Sequence, residues 1–169
     1  MTLLIRSARR EDACLVLSLI RDLAEYERLA HEVEATAEEI AASLFSANPR
    51  VFCDIAEWRG EPAGFALWFY NYSTFLGRHG IYLEDLFVEP RFRSNGIGQA
   101  LLAHLAQRCL AEKLGRLEWS VLDWNEPAIR FYERQGAVLR REWLSCRVAG
   151  AALDRLAAGG NPPPGAVAP

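Results

Sequence analysis

The chain has 169 residues, of which 51% are hydrophobic, and a formal net charge of −3 at pH 7. This length supports one domain with a buried core, and the slight acidic excess argues against a nucleic-acid partner. The four cysteines, at positions 14, 53, 109 and 146, lack the close spacing of a metal site or a disulfide framework. We therefore expect reduced thiols, no metal and a cytoplasmic location. The absence of a signal-peptide pattern and of a membrane-length apolar run predicts neither export nor a membrane partner.

Apolar residues along the chain follow the two-residue repeat of strands in some segments and the 3.6-residue repeat of helices in others. Thr36 and Glu39 form a capping-box pattern, and the turn residues 59–62 predict a hairpin. The mixed order predicts an α/β domain over residues 1–158, followed by a flexible Pro/Gly-rich tail over 159–169. The predicted strands are 3–8, 51–58, 63–72, 81–88, 117–122 and 137–148. The first predicted helix ends near Leu29, and the others cover 37–47, Gly96 to Lys113, Asn125 to Gly136 and 150–158.

The most informative stretch is residues 81–98, where an apolar strand pattern leads through a basic turn with glycines into a strong helix. Small residues in the turn allow an anion to approach the backbone, and the first helical turn offers unpaired N–H groups. Arg91 and Arg93 add positive charge. The spacing R-x-x-G-x-G is that of neither a P-loop nor a dinucleotide-binding turn, so it predicts a site for a different phosphate carrier. The alternative is a basic turn that only begins a helix.

Two adjacent acidic residues, Glu84 and Asp85, lie in the predicted strand and should point to opposite faces. Strand alternation puts Leu83 with Asp85 on one face and Glu84 with Leu86 on the other. We expect Glu84 to be partly buried, which would raise its pKa toward the range of a general base. The alternative for Glu84 is a carboxylate held by backbone donors or an arginine for structural reasons. Asp85 is expected to be structural.

The R-x-x-G-x-G turn after an acidic strand resembles the acetyl-CoA signature of the GNAT superfamily of N-acetyltransferases. A second block, L-D-W-N-E-P-A-I-R-F-Y at residues 122–132, follows at the distance that this family shows. The likeness extends from about Leu3 to Ala157, and the phrases L-E-D-L-F-V and L-A-E-Y-E are most similar to the diamine and thialysine acetyltransferases. It implies a GNAT fold, with a mixed, mostly antiparallel sheet that splays near residues 86–88 and has helices on both faces. It also implies acetyl-CoA as co-substrate and a homodimer.

The resemblance further implies which residues contact the cofactor. Main-chain groups at Leu86 and Val88 would meet the pantetheine, the turn would surround the pyrophosphate, Asn125 would bind the CoA arm, and Tyr132 would protonate the departing thiolate. By helical spacing alone, Tyr132 could equally be a buried aromatic residue without a catalytic role. The implied cofactor-binding residues are Leu86, Phe87, Val88, Arg93, Ser94, Asn95, Gly96, Ile97, Gly98, Gln99, Asn125, Pro127, Ala128 and Tyr132.

The same resemblance implies an acidic and aromatic substrate site, which suits an extended cation. Its members would be Tyr26, Glu27, Glu84, Glu118, Trp119, Ser120 and Glu142. The alternative for the carboxylates is that they are solvated surface charges. Two features depart from a polyamine enzyme: residues 71–75 lack the expected Asp-Pro-Trp, and Arg140 and Arg141 stand where acidic residues would suit a polyamine.

The sequence thus predicts an enzyme that moves acetyl from acetyl-CoA to a primary amine of a small cation, by direct attack in a ternary complex. Tyr132 is the expected acid and Glu84 the expected base. One alternative is acetylation of a protein N-terminus or lysine. The other is a non-catalytic acyl-CoA sensor, which would keep the phosphate-binding turn without needing both Glu84 and Tyr132.

Overall fold

The computed structural model describes residues 2–160, which form five strands and five α-helices. The chain divides after Ala128 into two compact units, 1–128 and 129–169. No helix among the described residues is both long enough and apolar enough to cross a membrane. The strands are β1 (Leu3–Ser7), β2 (Phe52–Trp58), β3 (Glu61–Ser73), β4 (Arg78–Val88) and β5 (Leu117–Trp119), and the helices are α1 (Ala13–Glu27), α2 (Ala37–Leu44), α3 (Ile97–Ala111), α4 (Glu126–Arg134) and α5 (Ala151–Ala157).

All five strands belong to one sheet of the first unit, in the order β1-β2-β3-β4-β5. The first three pairings are antiparallel, while β4 and β5 run parallel. The hairpin between β2 and β3 turns at Arg59 and Gly60, whose φ angles of 56° and 85° are both left-handed, as a tight two-residue turn requires. The predicted mixed, mostly antiparallel sheet is therefore confirmed.

Helices cover both faces of this sheet, as predicted. On one face, Ile55, Phe65 and Phe87 form the main apolar core with buried residues of α1 and α2, among them Val16 and Leu44. We call this the α1 face. On the opposite face, α3 places the Arg108 guanidinium 5.0 Å from the ring centroid of Trp68. There the buried Asp54 carboxylate accepts a 2.8 Å hydrogen bond from Trp68 Nε1 and lies 3.6 Å from His104 Nε2.

The sheet splays along β4, where the sequence predicts a ligand. β5 pairs with β4 at only three positions, Ile81 to Leu83. Beyond Leu83, β4 continues to Val88 with β3 as its only neighbour among the described strands. Backbone groups of residues 84–88 therefore have no partner in β5, although the Val88 carbonyl accepts a hydrogen bond from Arg93. The separation starts before the predicted residues 86–88, and β5 ends at Trp119, short of the predicted residue 122.

Local signals account for several helix ends. Thr36 caps α2 through reciprocal hydrogen bonds with Glu39, which confirms the predicted capping box. Arg28 ends α1 in a left-handed conformation with φ of 65°. In the second unit, Gly136 follows α4 with φ of 88°, and the N–H of Ala137 donates to the carbonyl of Tyr132, so Gly136 stops this helix as predicted.

The predicted last strand over 137–148 is wrong, because the structure has irregular backbone there. Its large apolar side chains Val138, Trp143 and Leu144 are 81%, 70% and 88% exposed. An apolar alternation becomes a strand only when a neighbouring strand pairs with its backbone groups, and the alternation does not provide that neighbour. The helix predicted at 150–158 is present as α5. Of the predicted tail, residues 161–169 lie outside the described part of the chain.

Candidate active site

The basic turn after β4 has the geometry of an anion-binding loop. A short 3-10 helix, Pro90–Phe92, is followed by Ser94 with φ of 65° and by Gly96 with φ of 77° at the N-cap of α3. The Asn95 amide donates to the carbonyl of Phe92 at 3.0 Å and so holds the turn closed. The first-turn amides of α3, at residues 97–99, lack intrahelical acceptors and carry the positive end of the helix dipole. This arrangement fits a pyrophosphate at the helix start.

The two arginines of this turn have different interaction partners. Arg91 forms ion pairs with Glu89 at 2.8 Å and Glu61 at 3.0 Å, so the expectation that it adds free positive charge is wrong. Arg93 donates to the Val88 carbonyl at 3.0 Å, and its guanidinium lies 4.9 Å from the ring centroid of Tyr26. Arg93 is therefore the basic residue of the turn that can meet an anion.

Asn125 connects the substrate side of the predicted site to the cofactor side. It is 6% exposed, and its Oδ1 accepts hydrogen bonds from Tyr26 Oη at 3.1 Å and from the Ala128 N–H at 3.3 Å. The second of these bonds makes Asn125 a side-chain cap of α4. The Trp124 ring lies 6.4 Å from that of Tyr26. Tyr26 and Asn125, predicted from separate motifs, therefore lie together.

Acidic residues converge at the splayed part of β4, but not in the predicted way. Glu84 is exposed, so its expected partial burial is wrong. The partly buried carboxyl is that of Asp85, and desolvation, together with the charges of Glu84 and Glu27, raises its pKa to about 7. Burial also raises the pKa of Glu27, at the end of α1. Glu84 and Glu27 therefore act electrostatically on Asp85 at this part of the sheet.

The predicted substrate residues in β5 and directly after it are already engaged. The Glu118 carboxylate lies 2.6 Å from Arg116 Nε and accepts a 2.7 Å hydrogen bond from the Asn71 amide. Its charge is thus compensated. Ser120 shares a 2.7 Å hydrogen bond with the Tyr82 hydroxyl, and the half-buried Trp119 pairs with Leu83 across the β4–β5 ladder. No three or more described His, Cys, Asp or Glu side chains form a group that could hold a metal ion.

Two further predicted residues belong to the second unit. Tyr132 lies in α4, where its ring centroid is 5.3 Å from that of Phe131 and its carbonyl accepts from the N–H of Gln135 and of Ala137. Glu142 is exposed in the irregular segment and forms an ion pair with Arg140. Its own backbone N–H and this arginine lower the pKa of Glu142.

The sequence analysis put Asp85 on the same face as Leu83 because strand alternation was assumed to continue through β4. The register interrupts it: Leu67 of β3 pairs with Asp85 and Trp68 pairs with Leu83, so Glu84 is the extra residue of a β-bulge. No residue type in this stretch indicates a β-bulge. Trp124, which lies near Tyr26, could have been found because it stands beside Asn125 in the second motif.

Comparison with known proteins agrees with these features. The sequence profile described as "Acetyltransferase (GNAT) family" matches residues 16–137. The thialysine N-epsilon-acetyltransferase of Mus musculus is 37% identical, over 90% of this chain and 96% of its own. An L-ornithine N5-acetyltransferase of Arabidopsis thaliana is 32% identical, over 90% of this chain and 86% of its own. The solved structure of a V. cholerae integron cassette protein superimposes with a TM-score of 0.77 at 27% identity, covering 93% of this chain and 98% of its own. The chain therefore belongs to the GNAT family of acetyltransferases.

Proposed function

We propose that this protein transfers an acetyl group from acetyl-CoA to a primary amine of a small cationic substrate, such as a diamine, polyamine or lysine-like amino acid. The observation that carries the proposal is the group of carboxylates Glu27, Glu84 and Asp85 beside the open edge of β4. A cluster of carboxyl groups, of which Glu27 and Asp85 are partly buried, favours a cation over a neutral molecule of the same size. The relatives that act on thialysine and on ornithine, both amines, support this substrate class.

The turn after β4 fits the diphosphate part of acetyl-CoA. Left-handed Ser94 and Gly96 turn the backbone into α3, and the first-turn amides of Ile97, Gly98 and Gln99 suit an anion. We assign the backbone of residues 86–88 to the pantetheine, because β5 leaves that edge of β4 free. Asn125, held by Tyr26, would contact the CoA arm through its amide nitrogen, with Pro127 and Ala128 beside it.

Acetyl-CoA, when bound, supplies the acetyl group as a thioester, and the amine attacks it directly in a ternary complex. The residues of this chain bind the amine and move its protons. Glu27 and Glu84 bind the ammonium group, with Tyr26 as an aromatic wall. Glu84 is also the base expected from the sequence, and Tyr132 donates a proton to the departing thiolate. We give Glu118, Trp119, Ser120 and Glu142 only supporting roles around the substrate, because the carboxylates of Glu118 and Glu142 are already paired with arginines.

We further propose that the enzyme acts as a homodimer in the cytoplasm, without nucleic-acid or membrane partners, and that residues 1–158 form its single functional domain. The exposed apolar side chains Val138, Trp143 and Leu144 support a second copy, since an interface would remove them from water. Sedimentation equilibrium checks the oligomeric state. A monomer at micromolar concentration would contradict the dimer.

A screen of small amines with acetyl-CoA, read as release of free thiol, tests the proposed activity. Thialysine, ornithine, putrescine and spermidine should release thiol faster than neutral amines of similar size. A matched screen with N-terminal and lysine-containing peptides tests the alternative of protein acetylation. Binding of acetyl-CoA without transfer to any amine or peptide would instead favour a sensor.

A further inference from the structure

The bulge in β4 changes which carboxylate faces α1. Asp85 pairs with Leu67, and Leu83 pairs with Trp68. Leu67 and Trp68 are consecutive in β3, so their side chains point to opposite faces of the sheet. Asp85 and Leu83, two residues apart, therefore lie on opposite faces of the sheet. Leu67 packs against the core formed with α1 and α2, so Asp85 lies on the α1 face. The bulge residue Glu84 remains exposed.

The surroundings of Asp85 contain negative charge and no partner cation. Glu84 from β4 and Glu27 from the end of α1 act on it, and Cys53 of β2 lies on the same face, on the far side of Leu67. The nearest basic side chain of the turn, Arg93, is stacked on Tyr26 and Phe87, at 4.9 and 5.7 Å from their ring centroids. Within residues 2–160, Asp85 takes part in no ion pair. Asp85 is therefore a partly buried carboxylate without a neutralising cation, although the sequence analysis expected it to be structural.

We infer that Asp85, rather than Glu84, accepts the proton that the substrate's ammonium group loses before it attacks the acetyl thioester. The inference rests on the proposed function and assigns one role within it. Glu84, at the exposed bulge, and Glu27 bind the incoming cation. Asp85, on the α1 face where both charges act on it, receives the proton.

One N–H bond of the ammonium group breaks, and its proton passes to a carboxylate oxygen of Asp85, directly or through a water molecule. The freed nitrogen lone pair forms the C–N bond to the acetyl carbon. As the C–S bond breaks, the nitrogen loses a second proton to solvent, which leaves the neutral amide. The thiolate takes a proton from Tyr132. Asp85 returns its proton to solvent and Tyr132 regains one from solvent, so the net reaction converts ammonium and thioester to amide, thiol and one released proton.

Burial gives Asp85 the protonation behaviour that this role requires. Desolvation first, and the charges of Glu84 and Glu27 second, raise the pKa of its carboxyl to about 7. A group that titrates near the working pH is both present as a base and able to hold a proton. A bound ammonium group lowers the pKa of Asp85, so binding of the cation favours the ionised carboxylate that can accept a proton.

The pH dependence of kcat/KM with thialysine and acetyl-CoA, between pH 5.5 and 9, tests the inference. The wild-type profile should rise through an inflection near pH 7, and the amine's own titration should appear at higher pH. Asp85→Asn should lose the inflection near pH 7 and lower kcat at that pH by about 10²-fold. Asp85→Glu should restore part of the rate and an inflection. Calorimetric titration with acetyl-CoA confirms that each variant is folded.

Glu84→Gln and Glu27→Gln extend the test to variants that leave Asp85 in place. Each removes a negative charge that opposes ionisation of Asp85, so each should keep the inflection and move it to lower pH. Glu25→Gln, an exposed change on the same helix, should leave it in place. An inflection lost in Glu84→Gln but kept in Asp85→Asn would overturn the inference and return the base to Glu84. The same holds if neither Glu84→Gln nor Glu27→Gln moves it. No acetylation of any amine by wild-type protein would overturn the proposed function itself.

Discussion

Tyr26 donates a hydrogen bond to Asn125 Oδ1 across 3.1 Å and so joins the last turn of α1 to the start of α4. The same oxygen accepts the Ala128 N–H at 3.3 Å, which leaves the amide nitrogen of Asn125 as the group that can donate to a ligand. The guanidinium of Arg93 lies over the Tyr26 ring. One side chain of the proposed substrate site thus contacts two residues of the proposed cofactor site.

Tyr26→Phe removes this hydroxyl but retains the ring beneath Arg93. The KM for acetyl-CoA should rise about three- to tenfold, because a hydrogen bond of this kind contributes about 1 kcal/mol. Steady-state kinetics with acetyl-CoA varied measures the change. Tyr70→Phe is the matched control, since it loses a 2.7 Å hydrogen bond to Glu112 outside the site. Equal KM values for the two variants would show that Asn125 needs no support from Tyr26.

Gly98→Asp puts a negative side chain in the first turn of α3. Affinity for acetyl-CoA should fall by about tenfold or more, because the new charge opposes the pyrophosphate. The fold should survive, since acidic residues near a helix N-terminus are favourable. Calorimetric titration measures the affinity. Gln107→Asp adds the same charge at an exposed position of α3 and should leave it unchanged. Unaltered binding by Gly98→Asp would place the phosphates elsewhere.

Glu27→Gln tests the preference for cations. The variant should raise KM for thialysine several-fold while kcat changes less, because a charge that only binds the substrate acts equally in the ground and transition states. The preference of the wild type for cationic over neutral amines should also shrink as salt rises. Glu25→Gln serves as the control on the outward face of α1. Equal use of neutral and cationic amines at low salt would count against an acidic site.

Tyr132→Phe separates acid catalysis from packing. The ring remains, so the fold and acetyl-CoA affinity should change little, but kcat should fall by about 10²-fold because the thiolate loses its proton donor. Tyr72→Phe, an exposed residue of β3, provides the matched control. Single-turnover kinetics measures the chemical step. A folded variant with wild-type kcat would make Tyr132 a packing residue only.

Asp85 should also affect stability in a pH-dependent way. Its pKa rises from 3.8 to about 7 on folding, so the unfolded chain ionises first as pH increases. Between these values the carboxyl therefore destabilises the fold progressively, by at most about 4 kcal/mol once both states are ionised. Asp85→Asn lacks this titration. Urea unfolding should show that the variant gains stability relative to wild type from pH 4.5 to pH 8. A difference that does not vary with pH would mean that Asp85 titrates alike in both states.

Local sequence signals were sufficient for most of the fold. The capping box of Thr36 and Glu39, the Arg59-Gly60 turn and the stop at Gly136 each depend on a few neighbouring residues, and all three are confirmed. The strand predicted over 137–148 failed because strand pairing needs a neighbour that lies elsewhere in the chain. β5 is shorter than the predicted strand because its pairing with β4 ends at Leu83.

The sequence by itself identified the family and supplied the basic turn and the residue types of the proposed site, because each depends on short contiguous motifs. Only the tertiary structure decided which carboxylate is buried. A one-residue bulge, visible only in the pairing of β4 with β3, turns Asp85 to the face of α1 and leaves Glu84 in solvent. Burial and neighbouring charge then set the pKa, and both arise from residues that the chain brings together over long separations, as Glu27 and Asp85 are.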